Sequence, residues 1–135
     1  MRKTAYIASV ILGVILILGG LGTWIMVSST LDDQNITVAE DGCLEGSQVN
    51  GPFSAYCQAK VIELHTLETT GGMTYAELDR EDPLRQVAMN SAFLQSSLFT
   101  SVVAFGVAGM AILMGIVFVL LGLGMKDVGE KVGEI

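Results

Sequence analysis

The sequence predicts an all-α membrane protein, an antiparallel two-helix transmembrane hairpin with a small helical extracytoplasmic loop. Three observations predict it. Two stretches, Ala5–Val27 and Ser97–Met125, contain no Asp, Glu, Lys or Arg, and each exceeds the ~20 apolar residues that cross a bilayer core. Between them lies a polar segment, residues 28–95, holding eleven of the fourteen acids against three bases. Small residues recur in both apolar stretches at steps of 4 and 3, the spacing of a closely packed helix seam. One domain is the natural reading of 135 residues. A hydrophobic share of 51% and a mean hydropathy of +0.59 are high for an aqueous core whose helices must show water a charged face.

Residues 1–4 form a short basic N-terminus with Arg2 and Lys3, expected in the cytoplasm. The first span, 5–27, has Tyr6 near its inner end and Trp24 near its outer end, where amphipathic aromatics settle at the interfaces. A cleaved signal peptide is the alternative, but the apolar run of 23 residues outlasts the roughly 7–15 of a signal h-region, so a retained signal-anchor is expected. No lipobox precedes Cys43.

The loop 28–95 opens with Asp32-Asp33 and a β-leaning piece, Asn35–Val38, whose Asn35-Ile36-Thr37 matches a common sequon of little weight. Cys43 and Cys57 are the only cysteines. Fourteen residues apart in a loop assigned to an oxidising side, they read as a disulfide, with unpaired buried thiols as the alternative. Asn50-Gly51-Pro52 is a turn with Pro52 placed to open a helix near 52–69. Phe53, Tyr56/Cys57, Val61, Leu64 and Leu67 form an apolar stripe on it, expected to pack on Leu84, Val87, Phe93 or Leu94 or on a partner. Gly71-Gly72 ends that helix, Thr74–Glu77 fits a capping box for a short helix near 75–79, and Asp82-Pro83 starts a long helix at 83.

The second span is 96–125, followed by a cytoplasmic tail, 126–135, with Lys126 and Lys131. The positive-inside rule puts both termini in the cytoplasm and the loop outside. The seam residues are Ser9, Gly13, Gly20 and Thr23 on the first span and Ser101, Ala104, Ala108, Ala111 and Gly115 on the second. Laid antiparallel they pair as Thr23–Ser101, Gly20–Ala104, Leu16–Ala108, Gly13–Ala111 and Ser9–Gly115, in a left-handed hairpin.

Chemistry is sparse. His65 is the only histidine, on an expected helix beside Glu68, and alone it cannot build a 2-His-1-carboxylate iron site. The acidic runs lack the EF-hand pattern. Gly19-Gly20-x-Gly22 lies inside a span and is no phosphate loop. No ionisable group enters either span, and Ser96, Ser97, Thr100 and Ser101 are the polar residues near the outer end of the second.

Gly51–Tyr56, Thr70–Arg85 and Leu98–Ala108 resemble a family of small two-span membrane proteins of actinobacteria. Members often bear the label aromatic ring-opening dioxygenase, which one histidine does not support. The resemblance implies a bacterial envelope and this topology, and no mechanism. The chain is accordingly expected to be non-enzymatic, with no catalytic, cofactor-binding or metal-binding residues. Its expected partners are the lipid bilayer and another membrane protein or a second copy, in a plasma-membrane complex that it serves as accessory or scaffold subunit. The alternative is a component of a small homo-oligomeric channel or transporter. The acidic loop repels phosphate, so nucleic acid is not expected.

Overall fold

The computed structural model describes residues 2–133; residues 1 and 134–135, the extreme ends of the two expected cytoplasmic segments, lie outside the described residues. The described residues form three helices: α1, Arg2–Asp32; α2, Pro52–Thr69; and α3, Leu84–Lys131. α1 and α3 are long and apolar enough to cross a membrane, and only 11% and 17% of their most apolar windows are buried. The helix of a water-soluble core would have most of such a window covered.

Both long helices overrun the spans read from the sequence. α1 continues through residues 28–32, expected as loop, and α3 continues past Met125 to Lys131. A span boundary marks where charge begins, whereas a helix stops only where its backbone finds other partners. Beyond Asp32 the chain turns off with Asn35 N–H bonded to the Asp32 carbonyl at 3.0 Å. At the start of α3, the Asp82 carboxylate accepts from Leu84 N–H at 2.8 Å, the bond expected of that cap.

The chain divides into two compact units, one of residues up to Met26 and from Gly106 onward, the other Val27–Phe105. The first unit is built from α1 and α3, running antiparallel where they touch. The second is a disulfide-bearing cap. In it Val38 N–H bonds Ser47 O at 2.9 Å and Val49 N–H bonds Ile36 O at 2.8 Å, around a bridge between Thr37 and Gln48. The β-leaning piece thus finds a partner strand of minimal length, and places Val38 and Val49 in the core of the cap.

That core holds Leu31, Val38, Val49, Ala55, Cys57, Ala59, Leu98 and Phe105, flanked by Val27, Ile36, Ile62, Phe99 and Val102. Full burial of side chains such as Phe105 and Val49 is worth about 1.5–3 kcal/mol each. Two expectations need correcting here. α2 buries Ser54, Ala55, Cys57, Ala59 and Val61, while Phe53 is 78% exposed and Leu64 52% exposed. The face that packs therefore keeps Cys57 and Val61 of the expected stripe and is otherwise made of the small residues Ser54, Ala55 and Ala59, which let α2 lie close against its neighbours. The α3 residues that share this core are Leu98 and Phe105 with Phe99 and Val102, whereas Val87, Phe93 and Leu94 are exposed. Residues 75–79, expected as a helix, form a hydrogen-bonded turn: Glu77 closes the capping box on Thr74, but no helix follows it.

Cys43 and Cys57 stand at disulfide distance, with Cα atoms 5.3 Å apart. Gly42 beside the bridge is forced, since a Cβ there would come within 2.5 Å of Val38 Cγ1 and 2.8 Å of Val61 Cγ2. Closing a loop of 14 residues contributes about 3 kcal/mol in the chain-entropy treatment. Reduction is expected to lower the thermal stability of the cap accordingly and to retard the protein on non-reducing gels. Two thiols open to alkylation in the untreated, folded protein would contradict the bridge.

Candidate functional site

Two regions bear on what this chain does: the helix seam of the first unit and the polar face of the cap. In the seam the backbones touch. A Cβ added at Gly13 would lie 2.6 Å from the Gly115 carbonyl oxygen, and one at Gly115 would lie 2.6 Å from that of Gly13. At Gly20 the clash is with the Ala108 carbonyl at 2.7 Å, and at Gly122 with the Tyr6 carbonyl at 3.1 Å. The Ser9 hydroxyl donates to the Phe118 carbonyl at 2.7 Å across the seam.

These contacts set a register one helical turn from the one read from the sequence: Gly13 meets Gly115, not Ala111, and Gly20 meets Ala108, not Ala104. A shift of one turn keeps every second small residue of the pattern in register, Gly13 on Gly115 and Gly20 on Ala108, and moves the others off the line. The observed choice sets Gly13 on Gly115 and brings Gly122 into the seam against Tyr6. Removing two Cβ atoms at one crossing lets the axes approach more closely than a glycine set on an alanine. Ala108 and Gly115 are buried here and Ala111 half-buried. Thr23 and Ser101 do not bond across helices; each donates to its own helix, Thr23 to Gly19 O at 2.9 Å and Ser101 to Ser97 O at 3.1 Å. Thr100 donates likewise to Ser96 O at 2.7 Å. Gly19 and Gly22 face open space, as a Cβ there would meet nothing within 4 Å.

In the cap, His65 Nε2 lies 3.2 Å from Asp41 Oδ2, with both side chains exposed. Lys60 and Glu63 pair at 2.6 Å one turn apart on α2; the hydrogen bond to Glu63 raises the Lys60 pKa. The Thr74 backbone N–H holds the Glu77 carboxyl below its ordinary value. No group of three or more His, Cys, Asp or Glu that could hold a metal occurs among the described residues.

The sequence reading missed Arg85. Its guanidinium sits 4.2 Å over the Tyr75 ring and donates to the Leu78 carbonyl, locking the turn at 74–78 onto the start of α3. Leu78 itself is buried. The signal lay in Tyr75 and Arg85, an aromatic and a guanidinium either side of a turn, but ten residues of separation do not reveal a stack. Comparison with known proteins finds no matching family model, no matching curated protein and no matching solved structure.

Two substitutions probe these regions. Gly13→Ala inserts a methyl group between touching backbones and is expected to destabilise the helix pair by about 1–3 kcal/mol. Gly19→Ala has open space and improves helix propensity by up to about 1 kcal/mol, so it is expected to be neutral or stabilising; thermal unfolding in detergent compares them. Arg85→Ala leaves the Leu78 carbonyl without its charged donor, at a cost of about 1–3 kcal/mol. Amide exchange is expected to accelerate across residues 74–85 and to recover only in part in Arg85→Lys.

Proposed function

We propose that this chain is a non-enzymatic integral membrane protein that acts as an accessory or scaffold subunit of a larger envelope complex. In this reading α1 and α3 form a transmembrane hairpin with both termini in the cytoplasm and the acidic cap, residues 28–95, outside. The observation that carries the membrane part is the bare apolar surface of two long helices. Val103, Leu113 and Leu120 on α3, and Ile15, Leu18 and Ile25 on α1, all stand exposed, and lipid is the solvent that such a surface suits. The resemblance to two-span actinobacterial proteins points to the same topology.

The scaffold part rests on where the polar groups are spent. The hydroxyls at the outer end of the second span, Thr100 and Ser101, bond their own helix backbone, the geometry of structural hydroxyls more than of a pore lining. His65 pairs with Asp41 on an exposed face. What remains available is surface: an acidic cap and apolar helix faces. These suit binding to another membrane protein more than turnover of a substrate.

Purification from native membranes in mild detergent, followed by mass spectrometry, tests this. A second membrane protein is expected to co-purify in fixed proportion with the tagged chain. Recovery of a lone monomer that conducts ions in liposomes would overturn the scaffold reading in favour of the channel.

A further inference from the structure

We propose that the N-terminal edge of α2, Phe53 with Tyr56, is seated in the headgroup region of the bilayer, so that the cap rests on the lipid surface. The proposal rests on the membrane reading above. Phe53 is 78% exposed, while Ser54 and Ala55 beside it are buried. The backbone is therefore anchored and the phenyl ring is held outward. Tyr56, one turn on, is 45% exposed, and its ring meets that of Phe99 edge to face, with centroids 6.0 Å apart. Phe99 lies in the charge-free stretch of α3, with exposed Val103 one turn further along the same face. The aromatic edge of the cap is thus continuous with the α3 surface assigned to lipid.

Charge points the same way. The first turn of α2 carries no acid, although the surrounding loop is strongly acidic. Along the face that bears Phe53 and Tyr56, the next positions are the paired Lys60 and Glu63, so aromatic gives way to charged within about 10 Å at 1.5 Å per residue. Aromatics at the acyl boundary with a charged group behind them are what an interfacial helix presents to a membrane. An acidic body that touches lipid through an edge free of acid avoids repulsion from anionic headgroups.

The chain has a single tryptophan, Trp24, which serves as an internal reference. The native protein and the double substitution Trp24→Phe with Phe53→Trp are reconstituted in phosphatidylcholine nanodiscs whose acyl chains are brominated either near the glycerol or near the methyl end. Trp24 in the native protein is expected to lose emission. The indole at position 53 is expected to lose emission to a comparable extent, more strongly with bromine near the glycerol end, and with a blue-shifted maximum. Quenching of Trp24 without quenching at position 53 overturns the seating of the cap and leaves the membrane reading intact. Absence of quenching at Trp24 in the native protein overturns the membrane reading itself. Tyr56→Trp in the same Trp24→Phe background supplies the identical readout if the first variant does not fold.

Discussion

The close approach of α1 and α3 is the constraint on which the first unit depends. In the proposed membrane setting, two helices with bare apolar surfaces gain little by hiding those surfaces from one another, since lipid is as apolar as their side chains. What holds them is the strip where the backbones meet, at Gly13 on Gly115, Gly20 on Ala108 and Gly122 on Tyr6. Dispersion falls off steeply with distance, so removing a Cβ at each crossing brings many atom pairs into range at once. The Ser9 hydroxyl adds a directed bond to the Phe118 carbonyl, and so favours one register where the packing pattern alone allows neighbours.

The cap solves the opposite problem. Its 79 residues, Val27–Phe105, are mostly polar and hold few large core side chains, a size at which a single core is marginal. It compensates with a covalent link between Cys43 and Cys57 and by borrowing Leu31 from α1 and Leu98 and Phe105 from α3. α2 lies close because its inner face is Ser54, Ala55, Cys57 and Ala59, and Gly42 removes the last obstacle under Val38 and Val61. Phe53, Tyr56 and Leu64 are left facing outward, while Val61 stays buried. A face of small residues at the core and aromatics outside is what frees Phe53 and Tyr56 for a second surface.

Much of the architecture was legible because it depends on local rules. Pro52 and the run to Thr69 announced α2 at its observed bounds, Asp82-Pro83 announced α3, and the spacing of Cys43 and Cys57 announced their proximity. The α2 face was read correctly at Cys57 and Val61 and misread at Phe53, Tyr56 and Leu64, because periodicity shows where apolar residues recur but does not weigh large against small. Phe53, Tyr56 and Leu64 outweigh Ala55 and Ala59 in hydrophobicity, yet interhelical distance favours the alanines. Arg85 escaped notice because a cation over a ring is a relation between two loop-separated residues and leaves no periodic trace.

By itself the sequence determined two long apolar helices, free of charge within their central stretches, and an acidic segment between them with its cysteines in bridging range and a helix opening at Pro52; the short helix it also predicted at 75–79 does not form. Those properties follow from backbone capping, charge and the 3.6-residue repeat, all of which act over a few neighbouring residues. Only the tertiary structure decided the register of Gly13 on Gly115, the face that α2 buries, the pairing of His65 with Asp41 and the stacking of Arg85 on Tyr75. Each of these is a choice among arrangements that local rules leave nearly equal. Steric fit between distant segments separates them, at single atoms such as the absent Cβ of a glycine.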